Sequence, residues 1–168
     1  MSEVILDVRN MSVALGPHLA VKDVNYQIKA GEILGIVGES GCGKSLTSLS
    51  VMGLLDKTLK LSGEILFEGE NLVGMPEKRY QQIRGEGIGM IFQEPMTALN
   101  PVVTVGEQVA EMFIIHEGAS KPEAMNRAIE MLKQVHIPYP EKRAKAFPHE
   151  LSGGMRQRVM IAMALACK

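Results

Sequence analysis

Residues 38–45 read Gly38-Glu39-Ser40-Gly41-Cys42-Gly43-Lys44-Ser45, which fits the spacing G-x-x-x-x-G-K-S/T. Glycines at these intervals let the backbone fold so that successive N–H groups point inward and line an anion-binding hollow. Lys44 adds a mobile positive charge, and Ser45 adds a hard hydroxyl oxygen suited to Mg2+. A helix opening at about Lys44 contributes its unpaired first amides and the positive end of its dipole. The ligand that matches such a hollow is a chain of phosphates, and the pattern points to ATP with Mg2+. A glycine-rich turn with a surface lysine is the bland alternative; the position of the loop between an apolar run and a helix argues against it. Cys42 has two readings, a small residue tolerated in a tight loop or a thiol activated by Lys44 and the helix N-terminus.

A second anion-capture pattern lies at Leu151-Ser152-Gly153-Gly154-Met155-Arg156-Gln157-Arg158. Ser152 can cap a helix whose first amides Gly153 and Gly154 leave bare. Alone, this is no more than an ordinary Ser-capped helix start.

The elements that must position these residues follow from periodicity. Residues 3–8 and 21–29 read as strands, with Val24, Tyr26 and Ile28 alternating with polar residues and Gly16-Pro17 marking a turn between them. Ile33–Val37 is a continuous apolar run, expected to be a strand buried on both faces and leading into the loop. A helix is expected from about Lys44 with Leu46, Leu49 and Met52 on one side. Strands are expected over 61–67 and 88–92. Thr104-Val105-Gly106-Glu107 and Ser120-Lys121-Pro122-Glu123 both match the capping box, so each should open a helix. Met125, Ile129 and Leu132 repeat at helical spacing, and a last helix should start at about Gly153.

The two anion patterns together carry a family resemblance. Residues 151–158 resemble the LSGGQ signature of ABC ATPases, in the form LSGGMRQR, and 38–45 resemble that family's P-loop. Gln93, directly after the expected strand 88–92, resembles the Q-loop glutamine. Phe92-Gln93-Glu94-Pro95-Met96-Thr97-Ala98-Leu99-Asn100-Pro101 and Phe147-Pro148-His149-Glu150 resemble the oligopeptide/dipeptide importer branch, whose relatives also carry nickel or glutathione. The resemblance implies an ATP-binding subunit that couples ATP hydrolysis to solute uptake. It implies phosphate binding by 38–45, Mg2+ at Ser45 and Gln93, and a second subunit, identical or related, paired head to tail. In that pairing Ser152, Gly153 and Gly154 complete the partner's nucleotide site. It also implies integral membrane permease partners and a peripheral place on the cytoplasmic face of the inner membrane. Where the family often stacks adenine on an aromatic residue, the best match here is Leu15, so adenine contact falls to His18, to the partner, or to looser packing.

The implied fold is α/β: a P-loop NTPase core with an antiparallel β layer and an inserted helical subdomain, incomplete at the C-terminus. The expected division is 1–93 for the β layer and loop half, 94–158 for the helical subdomain, and 159–168 for the return to the core. In the family the chain continues into the Walker B strand with its metal-ordering aspartate and catalytic glutamate. These 168 residues contain neither, and His149 is not the switch histidine, so the expectation for this stretch alone is nucleotide binding with little or no turnover. A non-catalytic nucleotide-binding fragment is therefore the rival reading; a soluble ABC protein of repair or translation is a weaker one, opposed by the segment around 94–101. Val159–Ala166 is apolar on every face, which predicts an exposed apolar patch, low stability or self-association in the isolated chain.

Composition removes other classes. Eighteen Lys and Arg against nineteen Asp and Glu give a net charge of −1, with no basic footprint for nucleic acid. The cluster Lys142, Arg143, Lys145 is short enough to be a solvated face. No apolar run approaches the roughly 20 residues a membrane span needs, the first residues are acidic rather than basic, and two cysteines, Cys42 and Cys167, make no disulfide framework.

Overall fold

The computed structural model describes residues 3–93 and 98–166. Glu94, Pro95, Met96 and Thr97 of the importer-like segment, and Cys167, lie outside the described residues. The chain divides into two compact units, residues 1–81 and 82–168.

The first unit is built on an antiparallel sheet of order β2-β1-β3-β4, with β1 Val4–Leu15, β2 His18–Lys29, β3 Leu59–Phe67 and β4 Glu70–Asn71. The expected short strands at 3–8 and 21–29 extend into one long hairpin, closed by a tight turn at Gly16-Pro17 and paired from Val4↔Lys29 to Leu15↔His18. On β2 the alternation holds: Val24, Tyr26 and Ile28 are half-buried and the residues between them exposed. Val8, Met11 and Val13 of β1 and Ile65 of β3 form the buried heart of this layer. Helix α1, Lys44–Val51, follows the loop. Its buried residues are Thr47, Ser50 and Val51 rather than the Leu46/Leu49 stripe expected, although Met52 at its end is buried. The two hydroxyls return to backbone carbonyls one turn back, Thr47 to Gly43 at 3.0 Å and Ser50 to Leu46 at 2.7 Å, which removes the cost of burying them. Helix α2, Glu77–Ile83, had no long apolar stripe to announce it; its only sequence cues are Pro76 ahead of it and Glu77 in its first turn.

Two expected strands are absent. Residues 33–37 are irregular, with Ile33 96% and Val37 92% exposed. Residues 88–92 make one local parallel bridge, Arg84↔Ile88, and no ladder. Strands exist only through their neighbours' N–H and C=O groups, and among the described residues no strand pairs with either segment beyond that single bridge. Apolar sequence marked them as buried strands; without a ladder they carry no regular structure, and Ile91 and Phe92 are exposed.

The second unit is helical. Helices α3 Val105–Glu117, α4 Lys121–Gln134, α5 Pro140–Arg143 and α6 Gly153–Leu165 surround a core that includes Val105, Val109, Phe113, Leu132 and Val159. On α4 the most buried stripe is Ala124, Ala128 and Leu132, with Met125 and Ile129 at its margin; small alanines let the neighbouring helices approach. The apolar α6 is largely covered within its own unit, with Val159, Met160, Ala162 and Ala166 buried and only Leu165 well exposed. The expected apolar patch therefore lies at 33–37, not along 159–166.

Thr104 forms the full capping box expected of it. Its hydroxyl oxygen accepts from the Glu107 N–H at 3.4 Å, and the Glu107 carboxylate accepts from the Thr104 N–H at 3.1 Å. Ser120 occupies the N-cap of α4 but makes no side-chain cap bond. Hydrogen bonds from Thr104 lower the Glu107 carboxyl below its ordinary value, and the guanidinium of Arg127, which also sits 4.0 Å over the Phe113 ring, lowers Glu117. A carboxyl depressed by folding contributes fully above its unfolded pKa, and that contribution is lost as pH falls through the folded value. Thermal melting should therefore drop on acidification from neutrality to about pH 3, below the ordinary carboxylate range. Thr104→Ala should cost about 1 kcal/mol at neutral pH and flatten part of that acid dependence. A melt insensitive to both changes would remove the capping box as a stabilising element.

Candidate functional site

The loop 38–45 closes around its own lysine. The Lys44 ammonium donates to the Gly38 carbonyl at 2.8 Å and to the Glu39 carbonyl at 2.6 Å, and lies 3.5 Å from the Cys42 sulfur. The Cys42 N–H donates to the Glu39 carbonyl at 3.3 Å. Gly41 and Gly43 have φ of 82° and 93°, a region that side-chain-bearing residues rarely enter. Gly43 is fixed twice over, because a Cβ there would stand 2.7 Å from a methyl of Val21 on β2. The hairpin, the loop and the first turn of α1 are thus locked at one point. Gly43 is the N-cap of α1 and Thr47 N–H to Gly43 O at 2.9 Å is an early helical bond; the amides ahead of it belong to the set that a helix leaves for outside partners. Gly38, Glu39, Ser40, Gly41, Cys42 and Ser45 are exposed, so the hollow faces solvent.

The Cys42 sulfur sits against Gly38, where a Cβ would meet it at 2.6 Å. The thiol is exposed and unpaired in any disulfide. Leu15, 52% exposed, and His18 face each other across the tip of the β1–β2 hairpin.

In the second unit, Ser152 caps α6 and its hydroxyl accepts from the Met155 N–H at 3.3 Å, while Gly153 and Gly154 are exposed at the helix start. Arg156 donates back to the Leu151 carbonyl at 3.0 Å and Arg158 to the His136 carbonyl at 2.6 Å. Arg156 thus ties the capped turn to Leu151, and Arg158 ties α6 to His136 just past the end of α4; neither role is visible in the sequence pattern. His149 stacks on Phe147 with ring centroids 5.7 Å apart. Gln93 is exposed in a bend. The loop residues are thus brought together in the first unit, and Gln93 with the signature residues belongs to the second.

Ser45 and Gln93 offer neutral, exposed oxygens, and among the described residues no cluster of three or more His, Cys, Asp or Glu could hold a metal. The Ser45 hydroxyl is a hard oxygen of the kind Mg2+ accepts, since Mg2+ keeps waters and takes much of its coordination from substrate phosphates.

The sequence model of the ABC transporter family matches residues 21–168. The chain belongs to the ABC transporter family. It is 51% identical, over 99% of its length, to a probable peptide ABC transporter ATP-binding protein of Sinorhizobium fredii, and 48% identical, over 99%, to an oligopeptide transport ATP-binding protein of Salmonella typhimurium. In each case it covers 51% of the relative, so the chain spans about half the length of the curated relatives it matches. Among solved structures, a dimeric ATP-binding cassette in a post-hydrolysis state, bound to ADP and Pi, matches with a TM-score of 0.82 and 36% identity. That match covers 96% of this chain and 69% of the other. This is the α/β fold class expected of an ABC ATPase cassette.

A bulky alkyl group on the Cys42 sulfur would fill the hollow beneath Gly38. Alkylation with N-ethylmaleimide should abolish binding of ATP analogues, and bound MgATP should slow the modification. Full binding by quantitatively alkylated protein would show that the thiol lies clear of the phosphates.

Proposed function

We propose that this chain is the nucleotide-binding part of an ABC importer subunit that couples ATP binding and hydrolysis to uptake of peptides. Nickel or a related solute is the second choice of cargo. The observation that carries the reading is the Lys44 ammonium held at the mouth of a glycine-built loop ahead of α1. The choice of peptides rests on the relatives' names.

In this reading the amides of Gly38–Ser45 and the Lys44 ammonium hold the β- and γ-phosphates. An incoming phosphate takes the ammonium from the carbonyls of Gly38 and Glu39, replacing neutral acceptors with anionic ones. Charge-assisted bonds are roughly twice as strong as neutral ones. The Ser45 hydroxyl and the Gln93 amide oxygen hold Mg2+, which would supply charge neutralisation on the transferred phosphoryl group. Ser152, Gly153 and Gly154 present the start of α6 to the nucleotide of a second ATPase subunit, identical or related, paired head to tail; the dimeric cassette among the similar structures supports such a pairing. Among the described residues no helix is long and apolar enough to cross a membrane, so integral permease subunits provide the path. The subunit sits peripherally on the inner face of the membrane.

The rival reading concerns turnover. The described residues supply phosphate and metal contacts, and the family's water-activating carboxylate is not among them, so these residues on their own should bind MgATP and hydrolyse little of it. Removing a positioned general base costs typically 10²–10⁴-fold in rate.

Titration calorimetry with a non-hydrolysable ATP analogue and Mg2+ tests the core of the proposal. Lys44→Ala should weaken binding by at least about tenfold, the equivalent of ~1.4 kcal/mol and within the range for bonds to charged groups. Equal affinity in the wild type and the variant, or no affinity in either, would overturn the nucleotide site. Co-purification with integral membrane subunits, and loss of peptide uptake on Lys44→Ala, separates an importer from a soluble ABC protein.

A further inference from the structure

Gln108 lies in α3 with only 5% of its surface exposed. A buried amide is costly unless satisfied, and this one is satisfied three times. Its Oε1 accepts from the Asn100 N–H at 2.9 Å, and its Nε2 donates to the carbonyls of Asn100 and Val103, both at 2.9 Å. Asn100 in turn accepts from the Val102 N–H through its own side chain at 3.1 Å. The loop 100–103 is therefore held to the helix by a double bond pair at Asn100 and a third bond at Val103.

The first turn of the same helix is fastened on another side. The Val105 N–H donates to the Ala146 carbonyl and the Gly106 N–H to the Ala144 carbonyl, each at 2.9 Å. Gly106 is glycine because the two backbones touch, and a Cβ would stand 2.7 Å from the Ala144 carbonyl oxygen. From Ala146 the chain runs directly through Phe147, whose N–H donates to the Glu150 carboxylate at 2.7 Å, then through the 3-10 turn Pro148–Glu150 to Ser152. One helical turn thus ties a loop early in the unit to the segment that leads into the capped start of α6.

We propose that Gln108 is a positioning residue that makes the loop 100–103, the start of α3 and the segment 144–152 move as one body. A displacement imposed at the loop then reaches the Ser152 turn without slack. A leucine would fill the same volume; what an amide adds is two donors and an acceptor in fixed directions, which grip a backbone at a defined register. The consequence for catalysis rests on the importer reading above, in which the Ser152 turn must reach a partner's nucleotide; the mechanical coupling does not.

The test uses the subunit assembled with its membrane partners, as wild type, Gln108→Leu and Gln108→Glu. Glu keeps an acceptor for Asn100 but turns a carboxylate toward two carbonyl oxygens. Hydrogen exchange should show the amides of Asn100, Val105, Gly106 and Met155 accelerated together by about tenfold or more in both variants, the scale set by one unmet buried hydrogen bond, with amides of α1 unchanged. ATP turnover should show kcat lowered by a similar factor with KM for ATP unmoved, because the phosphate loop is untouched. Acceleration confined to Asn100, with Val105, Gly106 and Met155 as slow as in the wild type, would overturn the proposal and leave Gln108 a local loop staple. If the wild-type assembly turns over no ATP, the importer reading fails while the exchange pattern still decides the coupling. If Gln108→Leu does not fold, the same amides in folded Gln108→Glu decide it.

Discussion

The Lys44 ammonium, 2.8 Å from the Gly38 carbonyl and 2.6 Å from that of Glu39, holds the two ends of the phosphate loop together. Those carbonyls are acceptors within the lysine's reach, and they keep the loop in a ring instead of letting it open into an ordinary turn. The ring is possible only because Gly41 and Gly43 occupy left-handed backbone conformations and Gly43 packs against Val21. Pre-organisation matters here because each ordered residue costs roughly 1–2 kcal/mol of conformational entropy. A loop already closed spends little of that when phosphate arrives. Fold and site meet in Val21: the same side chain that is buried in the hairpin layer sets the space at the helix N-cap.

The two anion-binding patterns solve one problem by different physics. At 38–45 the hollow is made by backbone conformation and a mobile charge, with a glycine at the N-cap and no side-chain cap bond. At Ser152 the helix start is capped by a hydroxyl, and the nearby Arg156 side chain is engaged by the Leu151 carbonyl at 3.0 Å. The first arrangement combines backbone amides with the Lys44 ammonium; the second offers amides and a helix dipole, with its nearby arginine already engaged by a carbonyl. In the proposed reading, the two would therefore contribute differently to one nucleotide site.

Local chemistry was readable in the sequence wherever it depends on residues close along the chain. The loop, the Thr104 capping box, the Ser152 cap and the alternation on β2 follow from spacing alone. Ser120 shows the limit even of that: the motif places it at the N-cap of α4, yet its side chain makes no cap bond. Properties that depend on distant neighbours were read less well. Ile33–Val37 has the composition of a central strand, yet composition cannot provide a ladder. The Leu46/Leu49 and Met125/Ile129 stripes were chosen by hydrophobicity, whereas the closest contacts fell to Thr47, Ser50, Ala124 and Ala128, because close approach selects small side chains rather than greasy ones. Gln108 was invisible for the opposite reason. A single glutamine in a helix reads as a surface residue until the backbone that it holds is folded against it.

These differences bear on how the chain transmits movement. A nucleotide-driven machine needs stiff parts joined by compliant ones, because packed elements have discrete rather than graded arrangements. In the first unit, stiffness comes from a ladder-bonded hairpin and a doubly constrained glycine. In the second, it comes from an apolar helical core to which two loops are pinned by Gln108 and by the backbone contact at Gly106. The segments that carry neither ladder nor core, 33–37 and 88–92, are those that lead into the phosphate loop and into Gln93. They are largely apolar; residues 33–37, Ile91 and Phe92 are exposed, while Ile88 and Met90 are half-buried, so their conformation depends on whatever packs on them. A residue such as Gln93, at the end of one of them, is placed by its surroundings. Its position can therefore report what those surroundings are doing.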